Sequence, residues 1–165
     1  MRMDLREELK SKLRGELVVV GVGDSSHGDD GAGPMIAGLL AADGLRNVID
    51  AGASPELETW RIREMGPDTV LFVDAVDFGG RPGDAALLEA DQLRSSGFDT
   101  HRAPLRLTMN YLERELSCRC YLLGIQPEAT GMAASMGEKV RHSVNSLAAL
   151  LSEQAGRATG DRRMQ

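Results

Sequence analysis

No stretch of this chain gathers lysine and arginine into a block. With 19 basic against 25 acidic residues, and a formal net charge of −6, it lacks the concentrated basic surface that nucleic-acid binding needs. No apolar run approaches the ~20 residues required to span a bilayer, so membrane insertion is not expected. The N-terminus, MRMDLREELKSKLR, alternates charge with leucine and has no apolar core of the signal-peptide kind, so a cytoplasmic location is expected. Cysteine is nearly absent. Cys118 and Cys120 fall on a predicted strand, where side chains at i and i+2 share a face and a bridge between them would be badly strained. A second cysteine pair to complete a zinc site is missing, so both read as buried, reduced thiols. Nor is there an internal repeat or a linker. The chain reads as one domain over residues 1–155, long enough for a proper core, with a frayed tail at 156–165.

What is present is an alternation of strands and helices. Leu5, Leu9 and Leu13 recur every four residues, predicting an amphipathic helix over 3–14. ELVVVGV (16–22) predicts the first strand, followed by a glycine-rich loop and a helix with Pro34 in its first turn. NVID (47–50) is a short second strand, and Ser54-Pro55-Glu56 marks a helix start. TVLFVDA (69–75) has the continuous apolar pattern of a strand covered on both faces. AALLEA (85–90) suits an antiparallel edge strand, LTMNYLERELS (107–117) a helix and CRCYLLGIQ (118–126) a further strand. Val140, Val144, Leu147, Ala148 and Leu151 form one stripe of a closing helix. The alternation predicts an α/β sandwich around a largely parallel sheet.

Sites in open α/β sheets lie in the loops beyond the carboxyl ends of the strands. Three such places hold residues capable of chemistry. GVGDSSHGDDGAGP (21–34) carries Asp24, Asp29 and Asp30 with no lysine or arginine; Asp74 ends LFV, with Asp77 three residues on; and His101 precedes a helix. Two carboxylates and an imidazole suit a divalent ion such as Ni²⁺ or Zn²⁺. Simpler roles exist for each. Asp74 could close a turn, and Asp29 or Asp30 could cap the following helix. His27 is either an exposed loop histidine or a ligand, and His142 reads as solvated. A dinucleotide site is disfavoured: G-x-G-x-x-G would need glycine where Ser26 stands, and three acidic side chains would repel a pyrophosphate. Asp50 alone mimics the acidic residue that would hold a ribose. No G-x-S-x-G elbow supports an acyl-enzyme route.

GVGDSSHGDDGAGP, DAGASPE, LFVDAVDFGGRPGD, DTHRAPL, MNYL and LLGIQPE occur in the order seen in the hydrogenase maturation proteases. The chain resembles that family over residues 16–152, and within it the hydrogenase 3-type branch. The resemblance implies a three-layer α/β/α fold around a five-stranded, mostly parallel sheet. It also implies an endopeptidase that removes the C-terminal extension of a [NiFe]-hydrogenase large-subunit precursor after nickel insertion. Nickel would be carried by the precursor, bound only weakly by the enzyme alone, and would serve as the recognition signal. Family ligand positions carry over to Asp30, Asp74 and His101, and a monomer is implied. Two routes stay open: metal-assisted hydrolysis, or nickel that only positions the substrate while Asp30 acts as general base. The other reading of the same triad is a nickel-dependent binding module that checks the precursor without cutting it. One departure stands out, because the family carries asparagine where this chain has Asp24.

Overall fold

The strand order of the sheet is β2-β1-β3-β5-β4. The strands are β1 (Leu17–Gly21), β2 (Val48–Asp50), β3 (Thr69–Ala75), β4 (Ala85–Leu88) and β5 (Arg119–Ile125). The first four of that order run parallel, and β4 pairs antiparallel with β5 through Ala86 opposite Gly124 and Leu87 opposite Leu123. The helices are α1 (Leu5–Lys12), α2 (Ala32–Ala42), α3 (Thr59–Met65), α4 (Gln92–Ser95), α5 (Ala103–Leu116) and α6 (Glu138–Arg163). This computed structural model describes residues 3–95, 103–128 and 135–163.

Period-two alternation divides the core into two layers. Val18, Val20, Val70, Phe72, Cys120 and Leu122 face one side, where Ile62 of α3, Leu93 of α4 and Met109 and Leu112 of α5 cover them. Val19, Leu71, Val73, Leu123 and Ile125 face the other, under Leu9 of α1, Ile36 and Leu40 of α2, and Val140, Val144 and Leu151 of α6. Every residue of β3 is buried, as its unbroken apolar run predicts for a central strand sandwiched by helices. The three-layer arrangement and the antiparallel edge strand are both as expected. Cys118 and Cys120 are buried free thiols with Sγ atoms 4.0 Å apart.

Differences from expectation are local. Ser54-Pro55 opens a 3-10 turn (Pro55–Glu58) before α3, and α5 begins at Ala103, four residues earlier than its leucine pattern suggests. Helix α6 continues to Arg163, through residues that the composition placed in the tail. Large apolar side chains are exposed where the 3-10 turn, α3 and α5 adjoin: Leu57, Trp60, Leu107 and Tyr111.

The position of the site follows from the strand order. After β1 the chain passes through α2 to β2 on one flank; after β2 it returns through α3 to β3 on the other flank of β1. The loop that leaves β1 and the end of β3 therefore lie side by side at the carboxyl edge of neighbouring parallel strands, the usual ligand position in such sheets.

Candidate active site

The loop after β1 leaves the sheet beside β3. The Val22 amide donates to the Val73 carbonyl at 2.8 Å, one residue before Asp74. Gly23 follows at φ +136°, a conformation that side chains rarely adopt, and a Cβ there would run into the Asp30 carbonyl. The loop thus folds back on itself, and the Asp24 amide donates to Asp30 Oδ2 at 2.9 Å. Asp24 Oδ1 accepts the Ser26 amide at 2.9 Å and the Ser26 hydroxyl at 2.6 Å, an Asx turn. Its Oδ2 lies 2.8 Å from His27 Nδ1. An asparagine oxygen could accept the Ser26 amide equally well. The second carboxylate oxygen adds the contact to His27. His27 is therefore held at the rim by Asp24, and its backbone carbonyl accepts the Asp30 amide at 3.1 Å.

Asp29 and Asp30 separate completely. Both lie in a 3-10 turn (Gly28–Gly31) packed on β3. Asp29 is fully buried and accepts the amides of Glu128 and Gly137, both at 2.7 Å. Neither this turn nor α2 receives a side-chain cap, so the expected capping role is not realised; the distant amides claim the Asp29 oxygens instead. Asp30, half-buried, is the member of the pair on the β1 loop's own bond network.

Asp74 is the penultimate residue of β3 and only 2% exposed. It has the parity of Val70 and Phe72, so it belongs to the face covered by α5. Asp77, which the sequence groups with it, does other work. Its Oδ1 accepts the Gly79 amide and the Gln126 side-chain amide, each at 3.0 Å. Gln126 in turn accepts the amides of Phe78 at 2.9 Å and Gly80 at 3.0 Å. This buried glutamine at the end of β5 clamps the loop that follows Asp74. The sequence reading missed it, though a polar residue closing the buried run LLGI was a usable signal. Asp50 accepts the Gly52 amide and so serves its own turn, and His142 is exposed on α6. His101 lies outside the described residues.

Hydrogen bonds hold two of these loop carboxylates below the ordinary value of 3.8: those from Ser26 act first on Asp24, and that from Gly79 first on Asp77. A depressed folded-state pKa stabilises the fold at pH above 3.8, and the contribution is lost as pH falls through the lower folded value. Both loops are therefore expected to loosen together in acid. Amide exchange at Ser26 and Gly79, followed from neutral pH downwards, should accelerate sharply below that point. In an Asp24→Asn/Asp77→Asn variant the same exchange should be nearly independent of pH once intrinsic chemistry is removed. A wild type with no such acid step would contradict the assignment.

The Asp30 turn follows β1 and packs on β3, and Asp74 lies near the carboxyl end of β3 itself. Gly33 permits their approach: a Cβ there would collide with the carbonyls of both Val22 and Val73. Among the described residues, no three His, Cys, Asp or Glu side chains are disposed to share one ion. Carboxylates at this edge are chemically suited to meeting an ion brought from outside, or to taking a proton from water. No described helix is long and apolar enough to cross a membrane.

Comparison with known proteins identifies the chemistry. Residues 39–154 match the family model of the HycI hydrogenase maturation protease. The chain is 35% identical over 133 residues to the Hydrogenase 3 maturation protease of Escherichia coli K12, covering 79% of this chain and 85% of that one. Its structure is similar to the crystal structure of the [NiFe] hydrogenase maturation protease HycI from Thermococcus kodakarensis KOD1. That match has a TM-score of 0.81 at 29% identity, over 91% of this chain and 97% of the other. The solution structure of the endopeptidase HycI from Escherichia coli gives 0.71 at 32% identity, over 81% and 87% respectively. With the family model spanning most of the chain and the topology shared, this chain belongs to the hydrogenase maturation protease family and is a peptidase.

Proposed function

We propose that this chain removes the C-terminal extension of a [NiFe]-hydrogenase large-subunit precursor after nickel insertion, and that the nickel in the precursor is what it recognises. What supports this reading is that the Asp30 turn follows β1 and Asp74 lies near the end of the neighbouring parallel strand β3, in a chain of this family. Asp30, Asp74 and His101 are the residues that address the ion. Nickel is here part of the substrate. Carboxylate and imidazole donors without a thiolate make an open site, matched to an ion that arrives already held by its own protein.

Hydrolysis can then use either of two routes. The ion polarises the scissile carbonyl and acidifies a water, or it positions the peptide while Asp30 accepts the proton of the attacking water. In both, the glycines of the β1 loop let the peptide backbone come close. The enzyme acts as a cytoplasmic monomer. Nickel-loaded precursor should be trimmed and nickel-free precursor left intact; equal trimming of both would contradict nickel recognition. Trimming of neither, with loaded precursor retained on the enzyme, would favour a checking module that does not cut.

The enzyme alone should bind nickel weakly. Titration calorimetry is expected to show no stoichiometric isotherm at concentrations where loaded precursor is processed. Tight binding that survives His101→Ala would contradict the proposed ligand set.

A further inference from the structure

Asp29 and Asp30 are adjacent, yet only one of them faces a candidate chemical role. Asp29 has no solvent exposure. Its Oδ2 accepts the Glu128 amide and its Oδ1 the Gly137 amide, each at 2.7 Å. Those donors stand 99 and 108 residues away in sequence, on the two sides of the connection between β5 and α6. Bonds from amides to a charged acceptor are short and strong, and a carboxylate engaged at both oxygens cannot turn without abandoning a buried donor. The connection also begins at the carboxyl end of β5, the sheet edge where β1 and β3 deliver Asp30 and Asp74.

We propose that Asp29 is a positioning residue of the hydrolytic site: it locks the Asp30 turn to both ends of the β5–α6 connection. Successive side chains of a 3-10 turn stand about 120° apart, so fixing the direction of Asp29 fixes that of Asp30. The Asp24 amide then holds Asp30 from the other side. Asp29 itself touches no substrate. Through it, Glu128 beyond β5 and Gly137 before α6 are tied to the loop that follows β1. This role rests on the assignment of Asp30 to the site.

The test compares cleavage of nickel-loaded precursor by the wild type, Asp29→Asn and Gly137→Pro, each assayed well below its own thermal midpoint. Asparagine keeps one acceptor oxygen but turns an NH₂ group on the second amide. In Asp29→Asn, kcat should fall roughly 10–100-fold, the range for residues that orient a ligand, with KM within about threefold. Asp30→Asn should cost less in the Asp29→Asn background than in the wild type, because the two act through one turn. Gly137 directly precedes α6 and its amide makes no bond within the helix, so proline there leaves the helix's own ladder intact. Its replacement removes one amide donor and puts a ring methylene where the amide hydrogen met Asp29 Oδ1, so the carboxylate must turn away and kcat should fall in the same way. That variant decides the matter if Asp29→Asn does not fold. A lower midpoint with wild-type kcat and KM would make Asp29 merely structural and overturn the proposal; so would a raised KM with unchanged kcat. A wild type that trims no loaded precursor overturns the assigned reaction itself, and this role with it.

Discussion

Asp74→Asn is expected to leave a folded protein that no longer processes its precursor. Asparagine has nearly the same volume, and the Asp74 backbone pairs with Gly124 in the middle of a sheet whose other contacts are unchanged. The thermal midpoint should therefore move by no more than about 4 °C, the equivalent of about 1 kcal/mol in a chain of this size. Activity should fall by at least roughly 10²–10³-fold, the order found when a preorganised electrostatic group is removed from a reaction centre. The physical reason is position. Asp74 is a carboxylate held at 2% exposure at the end of a strand whose seven residues are all buried. Burying a charge is costly unless something repays it, and a turn or cap does not require a site this deep. Precursor cleavage and a melting curve on one preparation check both parts. Full processing by the folded variant would remove Asp74 from the mechanism.

Gly33→Ala should lower stability strongly. The added methyl would meet the carbonyl oxygens of Val22 and Val73 and the Val22 amide nitrogen, all backbone atoms. Nothing there can rotate aside, so the ends of β1 and β3 must part. Overpacking of a rigid environment costs about 1–3 kcal/mol, and with backbone on every side the upper end applies. For a chain of this length that is a fall of roughly 6–12 °C in thermal midpoint. Processing should drop in the molecules that remain folded, since the same displacement shifts the Asp30 turn relative to the end of β3. Gly38→Ala is the control. A methyl at Gly38 meets nothing within 4 Å, on an exposed position of α2, and should stabilise the helix by roughly 0.5–1 kcal/mol. Similar melting of the two variants would contradict the close approach at Gly33.

Much of this geometry was legible in the sequence, and for identifiable reasons. The run Thr69–Ala75 could be read to its ends because a strand buried on both faces admits no polar interruption until Asp74. Strand β4 was readable because its short apolar run follows a glycine- and proline-rich loop, the punctuation that sets a strand apart from a helix. The strand-end rule then selected the loop 21–34 and Asp74 without knowledge of the strand order, and the family resemblance singled out Asp30 within that loop. What escaped was everything that depends on partners distant in sequence. Two adjacent aspartates look alike in a string; only folding brings Glu128 and Gly137 to one of them. Asp77 looked like a companion of Asp74 because three residues separate them, yet Gln126, 49 residues on, draws it into the loop. Asp24 stands where the family usually carries asparagine. It keeps the Ser26 turn and adds a hold on His27.

Incubating the purified chain with nickel-loaded large-subunit precursor and weighing the product by mass spectrometry tests the central claim most directly. A single loss of mass from the precursor's C-terminus, produced by the wild type and absent with Asp74→Asn, is the predicted result. A precursor that stays at full mass, or one trimmed equally by both proteins, would contradict it.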